Sequence, residues 1–255
     1  MMHSCPANSP AMRQKGEEMI EFLSRREFMS RSAVLAGGAL GALAVGRDLV
    51  SPREVRAGEV RFIETRCGET RKKGRILIAY ASRCGSTGGV ADAIGGVFRE
   101  AGACVDVLRV GNVQDLTPYR AVVVGSAVHS DQWLSEASEF VIQNQEVLGR
   151  LPVAYFLTCL TLVRPTEENR MKALGFLDPL HRDAPRVTPV DIGLFAGVLD
   201  YDKLSFMVRT VMKIKMKDKG VDEGDYRDWA SIRSWTRDVA PKLLNGSDAS
   251  KSAAG

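Results

Sequence analysis

The stretch RILIAYASRCGST, residues 75–87, joins an apolar run to a polar turn and decides the fold. Residues 76–80 are continuously apolar, which is typical of a strand buried on both faces of a sheet. The turn at 82–87 is followed by apolar residues at helical spacing from Val90 to Phe98. A strand, a short turn and a helix in this order form the opening unit of an α/β fold.

The same alternation continues along the chain. Apolar runs predict further strands at 105–108, 121–124, 153–157 and 191–198, and helical spacing predicts further helices at 134–148, 166–177, 203–217 and 226–244. Strands that alternate with helices favour parallel pairing with right-handed crossovers. The sequence therefore predicts an α/β domain over residues 75–244, a flavodoxin-like doubly wound five-stranded parallel sheet with helices on both faces.

Residues 1–57 have the features of an export signal. The stretch SRREFM at 24–29 has the twin-arginine pattern, and the Ala- and Gly-rich apolar stretch at 33–46 is shorter than the roughly 20 residues that span a bilayer. Residues 55–57, VRA, are acceptable for cleavage before Gly58. We expect export by the twin-arginine route to the periplasm or cell envelope. The alternative is a short buried helix with a chance arginine pair, in a protein that works at the cytoplasmic membrane surface.

Composition narrows the function classes. A formal net charge of +4 over 255 residues gives no support to general nucleic-acid binding. The five cysteines are odd in number and include no Cys-x-x-Cys pair, which argues against a metal site of the zinc type and a dithiol redox motif. We expect single thiols, a polar linker at 58–74 and a disordered low-complexity tail at 245–255.

The turn Ser82-Arg83-Cys84-Gly85-Ser86-Thr87 is a candidate phosphate loop. Ligands of open α/β sheets bind beyond the carboxyl ends of the strands, and a helix N-terminus favours an anion there. The turn lacks the lysine of a Walker loop and the spacing of G-x-G-x-x-G, so a phosphate monoester such as that of FMN fits better than a nucleoside triphosphate or a dinucleotide. A capped turn without a ligand is the alternative.

Two further predicted loops, residues 125–133 and 158–162, follow the third and fourth predicted strands. Their small residues would let a flat flavin ring approach the backbone. Trp133 would either cover one flavin face or pack on its own helix, and His129 would contact the flavin or an anionic substrate, or have no role. No catalytic residue stands out, and the predicted cofactor-binding residues are Ser82, Arg83, Cys84, Gly85, Ser86, Thr87, Ser126, Ala127, Val128, His129, Trp133, Thr158, Cys159 and Leu160.

The C-terminal half carries GVLDY at 197–201, MKIKMK at 212–217 and YRDW at 226–229, and ordinary flavodoxins lack the first and the last of these motifs. With the phosphate loop, they make residues 75–242 resemble the menaquinone-dependent protoporphyrinogen dehydrogenase family of the flavodoxin superfamily. The resemblance implies FMN as cofactor, a porphyrinogen as small-molecule substrate and a membrane quinone as electron acceptor. The alternatives are an exported flavodoxin-like electron-transfer protein with a different partner, and a fold that binds no flavin.

The segment 203–219 is a candidate surface for peripheral membrane contact. Its lysines and Arg209 surround an apolar stripe, and a basic amphipathic helix can lie on an anionic membrane. A helix that faces the core with a solvated basic back is the alternative. The stripe consists of Leu204, Met207, Val208, Val211 and Met212.

Overall fold

The computed structural model describes residues 60–68 and 74–252, so the export signal predicted at 1–57 lies outside the described residues. The strands are β1 (Arg75–Ala81), β2 (Val105–Arg109), β3 (Tyr119–His129), β4 (Gln132–Trp133), β5 (Val153–Cys159), β6 (Ile192–Ala196), β7 (Val198–Leu199) and β8 (Gly224–Asp225). The α-helices are α1 (Ser86–Glu100), α2 (Ser135–Gln143), α3 (Gln145–Leu148), α4 (Glu167–Gly175), α5 (Asp178–Asp183), α6 (Phe206–Asp218) and α7 (Trp229–Ser252). Within the described ranges, no helix is long and apolar enough to cross a membrane. Helix α7 continues past Leu244, where the sequence predicts the end of the folded domain.

The main sheet confirms the predicted doubly wound architecture. Its parallel strands follow the order β2-β1-β3-β5-β6, and β4 extends it by pairing with β3. Ala81 at the end of β1 aligns with Ser126, and Ala127 aligns with Thr158 of β5. The carboxyl ends of three neighbouring strands therefore lie level at the switch point, where this fold class binds ligands.

Helices cover both faces of the sheet. On one face, α1 and α7 pack through fully buried side chains such as Phe98 and Ile232. On the other face, α2, α4 and α5 contribute Val141, Ala173 and Leu180 to a second core cluster. A buried leucine, valine or phenylalanine stabilises the fold by about 1.5–3 kcal/mol, so these clusters hold the strand ends in place.

Two predicted loops prove to be continuations of strands. β3 runs through to His129 and turns back into β4 at Ser130 and Asp131, which have φ of 53° and 59°. β5 likewise continues to Cys159, and a 3-10 helix at Leu160–Val163 follows it. Apart from Leu160, the predicted binding residues on these segments therefore lie in paired strands.

Residues 60–68, which the composition predicts as linker, form a strap along β2. Thr65 pairs with Val107 through two backbone hydrogen bonds of 2.9 and 2.8 Å, and Phe62 packs under the guanidinium of Arg109 at 4.1 Å. The hydroxyl of Tyr80 donates to the carbonyl of Ile63 at 2.8 Å. β2 is an edge strand, so the strap satisfies backbone groups that an edge leaves open.

A disulfide between Cys67 and Cys104 anchors the strap, with a Cα–Cα distance of 5.5 Å. The expectation of single thiols is wrong for these two residues, because the strap brings together cysteines that lie 37 residues apart. Beside the bond, the carboxylate of Asp106 accepts hydrogen bonds from the Cys67 N–H at 2.7 Å and the Tyr119 hydroxyl at 2.8 Å. Cys84 and Cys159 are free thiols.

Candidate functional site

A cavity of about 330 Å³ opens at the carboxyl ends of β1, β3 and β5. It collects residues that are distant in sequence but lie at the three level strand ends. Gly85, Thr87, Ser126 and Trp133 are predicted site residues that do not line it. The predicted residues that do line the cavity are Ser82, Arg83, Cys84, Ser86, Ala127, Val128, His129, Thr158, Cys159 and Leu160.

Gly85 shapes the turn between β1 and α1. Its φ of 80° lies in the left-handed region, and a Cβ at this position would lie 2.7 Å from the carbonyl oxygen of Arg61. Both conformation and space therefore require glycine. The first turn of α1 contains no acidic residue, so the partial positive charge at this helix N-terminus is open to an anion.

Ser82 bears on whether the cavity suits a phosphate. The residue is only 5% exposed, it lines the cavity, and its Oγ has no hydrogen-bond partner among the described residues. Leaving a buried hydroxyl unsatisfied costs about 1–3 kcal/mol. An anionic oxygen in the cavity would accept a hydrogen bond from this hydroxyl and remove the cost, so the residues present fit the phosphate of FMN.

Thr87 and Ser126 are placed differently from the prediction. Both are fully buried, and neither lines the cavity. The Thr87 hydroxyl shares a 2.9 Å hydrogen bond with the hydroxyl of Thr158, and Ser126 Oγ donates to the Ala127 carbonyl and accepts from the Leu134 N–H. Their side chains brace the walls of the cavity, because their hydroxyls are already engaged with the protein.

Trp133 belongs to the core, not to the cavity. Because β4 pairs Trp133 with Val128, its side chain turns inward, where it is 5% exposed and packs edge-on against Tyr155 at 5.2 Å between ring centroids. The expectation that it covers a flavin face is therefore not met, and the alternative that it packs on its own helix is wrong too, because Trp133 lies in β4 and packs against Tyr155 of β5.

The charged groups around the cavity are mainly positive. Arg83 and Lys203 line it, and Lys203 pairs with Asp200 at 3.1 Å. Burial, helped by the charges of Arg83 and Lys215, lowers the pKa of His129, which keeps this imidazole neutral at pH 7. Burial also raises the pKa of the Cys84 thiol, which keeps Cys84 protonated. The cavity therefore offers positive charge to a phosphate and a neutral surface to a ring.

One wall of the cavity was missed by sequence reasoning. It comes from the GVLDY motif and from the start of α6, and apolar side chains dominate it. The presence of the GVLDY motif indicated that this segment matters for function, but its sequence did not predict that it would line the cavity. The lining residues from this wall are Gly197, Val198, Lys203, Leu204, Ser205, Val208 and Met212.

Arg227, from the YRDW motif, clamps the phosphate loop from behind. Its Nη1 donates to the Ser86 carbonyl at 3.0 Å, its Nε donates to Asp225 at 2.8 Å, and its guanidinium lies 4.5 Å from the ring centre of Trp229. The next residue, Asp228, accepts hydrogen bonds from the first turn of α7. The motif therefore fixes both the loop and the helix beside it.

A family comparison places this architecture among known proteins. The family described as "Flavodoxin domain" matches residues 77–225, which is more than half of the chain. The chain belongs to the flavodoxin domain family. The matched part of this flavodoxin domain runs from β1 to β8 and so includes the phosphate loop, all three strand ends and the α6 wall.

Individual relatives are similar at low identity. A protoporphyrinogen IX dehydrogenase [quinone] from Escherichia coli strain K12 is 25% identical over 176 residues, covering 65% of this chain and 94% of the relative. A protein of the same name from Leishmania major is 26% identical over 177 residues, covering 65% of this chain and 74% of the relative. A solved structure, oxidised flavodoxin 2 from Bacillus cereus, is 22% identical, covering 57% of this chain and 99% of that one with a TM-score of 0.38.

Proposed function

We propose that this flavodoxin domain binds FMN noncovalently in the cavity and acts as an oxidoreductase. The observation that carries the proposal is Ser82 Oγ, which is buried, has no hydrogen-bond partner within the described residues and belongs to the turn that leads into α1. The family assignment favours a flavin over other phosphate compounds.

Different segments of the chain would contact different parts of FMN. Residues 82–87 would hold the phosphate, and the backbone at 127–129 and 158–160 would flank the ring. Leu204 and Met212 would exclude water from it. FMN, when bound, supplies the electron chemistry, while the protein supplies orientation and electrostatics.

A visible absorption spectrum tests FMN binding directly. The purified full chain should be yellow, and denaturation should release FMN into the supernatant. A colourless protein that takes up no added FMN would contradict the proposal.

We further propose that the electron donor is a porphyrinogen and the acceptor a membrane quinone. Both curated relatives are named protoporphyrinogen IX dehydrogenase [quinone], and the matched regions span most of each relative. In an anaerobic assay, the FMN-loaded protein should convert protoporphyrinogen IX to the fluorescent porphyrin only when a quinone is added. If the loaded protein exchanges electrons with a soluble carrier but leaves the porphyrinogen unchanged, the exported electron-transfer protein replaces this proposal.

Helix α6 supports peripheral contact with a membrane. Phe206, Met207 and Ile214 are 82%, 79% and 61% exposed, and Val211 is 52% exposed. At 3.6 residues per turn, Met207, Val211 and Ile214 form one outward stripe, with Lys215 and Lys217 on its two sides. Met212 faces the cavity instead. The predicted single stripe is thus divided between an inner face and an outer face.

Vesicle sedimentation tests this contact. Replacing Lys215 and Lys217 by Gln should weaken binding to anionic vesicles at low salt by about 2 kcal/mol, since each lysine near such a surface contributes about 1 kcal/mol. The matched control replaces Arg233 and Arg237, which are exposed on α7, by Gln. If the unmodified protein binds neither anionic nor neutral vesicles, the acceptor is a soluble molecule.

We also propose export by the twin-arginine route to the periplasm or cell envelope. The Cys67–Cys104 disulfide supports it, because disulfides persist mainly in oxidising compartments. Replacing Arg25 and Arg26 by Lys should retain the protein in the cytoplasm, whereas Arg31→Lys should not. A double variant that fractionates like the unmodified protein would favour the cytoplasmic membrane surface.

A further inference from the structure

A second cavity, of about 370 Å³, adjoins the proposed flavin cavity. The two share Val128, Cys159 and Leu160 as lining residues, so they meet at the ends of β3 and β5. The second cavity then extends along the 3-10 helix after β5 towards α4 and the end of α6. A molecule bound there would lie beside the flavin without occupying the flavin's own space.

The second cavity combines positive charge with an apolar floor. Arg164, Lys172 and Lys219 line it, and Asp131 is its only acidic lining residue. In the part of the chain that the structure describes, Lys172 and Lys219 form no ion pair, and Arg164 uses one guanidinium nitrogen to donate to the Gly220 carbonyl at 3.2 Å. The apolar lining residues are Val128, Leu160, Val163, Met216 and Val221.

This combination fits one class of ligand. Three cations around a common space repel one another, and a ligand carrying carboxylates would remove that repulsion. The guanidinium of Arg164 can present a fork of donors to a carboxylate, while each lysine acts as a point charge. The apolar floor would hold the uncharged body of the same ligand.

We infer that the second cavity is the binding site for an amphipathic, carboxylate-bearing reductant, which places its apolar body at the shared border with the flavin cavity. The assignment of this ligand as electron donor rests on the proposed function, but binding itself does not. Arg164, Lys172 and Lys219 would bind the carboxylates, and Met216 and Val221 would contact the body.

Titration with protoporphyrin IX, which carries two carboxylates, tests the site in the full-length protein. Its dimethyl ester has the same ring without the charges, and the Soret absorption reports binding of either. We expect the free acid to bind on the order of 100-fold more tightly than the ester. Equal affinity for the two compounds would overturn the inference, as would the absence of binding.

Substitutions of the three cationic lining residues test whether they bind the porphyrin carboxylates. Arg164→Gln, Lys172→Gln and Lys219→Gln together should weaken protoporphyrin IX binding on the order of 100-fold, while Arg237→Gln, on the opposite face of the sheet, should leave it unchanged. The flavin spectrum should be the same in all of them. Unchanged porphyrin affinity in the triple variant would overturn the site.

The two proposals fail separately. Flavin-loaded protein that ignores the porphyrin contradicts the second cavity alone. Flavin-free protein that still binds the porphyrin through these three residues contradicts the proposed function and leaves the site standing.

Discussion

Ser82→Ala should change two properties in opposite directions. In the FMN-free protein, Ser82 Oγ is buried without a partner among the described residues, so its removal should raise the free energy of unfolding by about 1–3 kcal/mol. In the loaded protein, the same hydroxyl would donate to a phosphate oxygen. Such a bond to a charged group is worth about 1.5–3 kcal/mol, so FMN should bind roughly 10- to 100-fold more weakly.

The assays are urea unfolding of the FMN-free protein and FMN titration followed by quenching of flavin fluorescence. Ser126→Ala is the matched control, because it also removes one buried hydroxyl oxygen. Ser126 Oγ donates to the Ala127 carbonyl at 2.8 Å and accepts from the Leu134 N–H at 3.0 Å, so its loss should destabilise the FMN-free protein by about 1 kcal/mol.

The outcome separates a ligand contact from an ordinary buried serine. If Ser82→Ala destabilises the FMN-free protein as much as Ser126→Ala does, the hydroxyl has a partner within the protein. If FMN affinity is unchanged, the phosphate binds elsewhere and residues 82–87 are only a turn.

Three further outcomes are expected. Thr87→Val should leave the Thr158 hydroxyl unpaired and lower the free energy of unfolding by about 1–3 kcal/mol. Its effect on FMN affinity should be smaller than that of Ser82→Ala, and an equal effect would mean that Thr87 contacts the phosphate. The double variant Cys67→Ser, Cys104→Ser should have a free energy of unfolding lower by about 4 kcal/mol, because a cross-link over 37 residues restricts the unfolded chain. Reducing the disulfide of the unmodified protein with dithiothreitol should lower its free energy of unfolding by a similar amount. Arg227→Gln should weaken FMN binding about 2- to 10-fold in the same titration by releasing the Ser86 carbonyl, and unchanged affinity would mean that the loop is rigid without the clamp.

The parts of the fold that follow from local pattern were predictable. The apolar run at 76–80 and the helical spacing after it define β1 and α1, and the alternation of strands with helices predicts the parallel pairing. The phosphate loop is local too, since Gly85 and the helix N-terminus are adjacent in sequence. Most of the residues predicted around the cavity accordingly line it.

The parts that depend on distant contacts were not predictable. The inward position of Trp133 depends on the register of the β3–β4 hairpin. Its turn has positive φ at Ser130 and Asp131, but the sequence there lacks the Asn-Gly or Asp-Gly pair that usually predicts such a turn. The pairing of Cys67 with Cys104 depends on the strap lying along β2. In α6, periodicity identifies which residues share a face, but not which of two apolar faces meets a cavity.

The disulfide between Cys67 and Cys104 also bears on the order in which the protein would fold, bind flavin, be exported and be oxidised. The twin-arginine route carries proteins that are already folded, so under the proposed export the chain must fold in a reducing compartment, where the two thiols stay apart. A tightly bound ligand at 100 to 1,000 times its dissociation constant stabilises a fold by about 2.7–4.1 kcal/mol, close to the contribution expected of the disulfide. Flavin bound before export would therefore keep the precursor folded during transport. Formation of the disulfide after export would then stabilise the fold even when the cofactor dissociates.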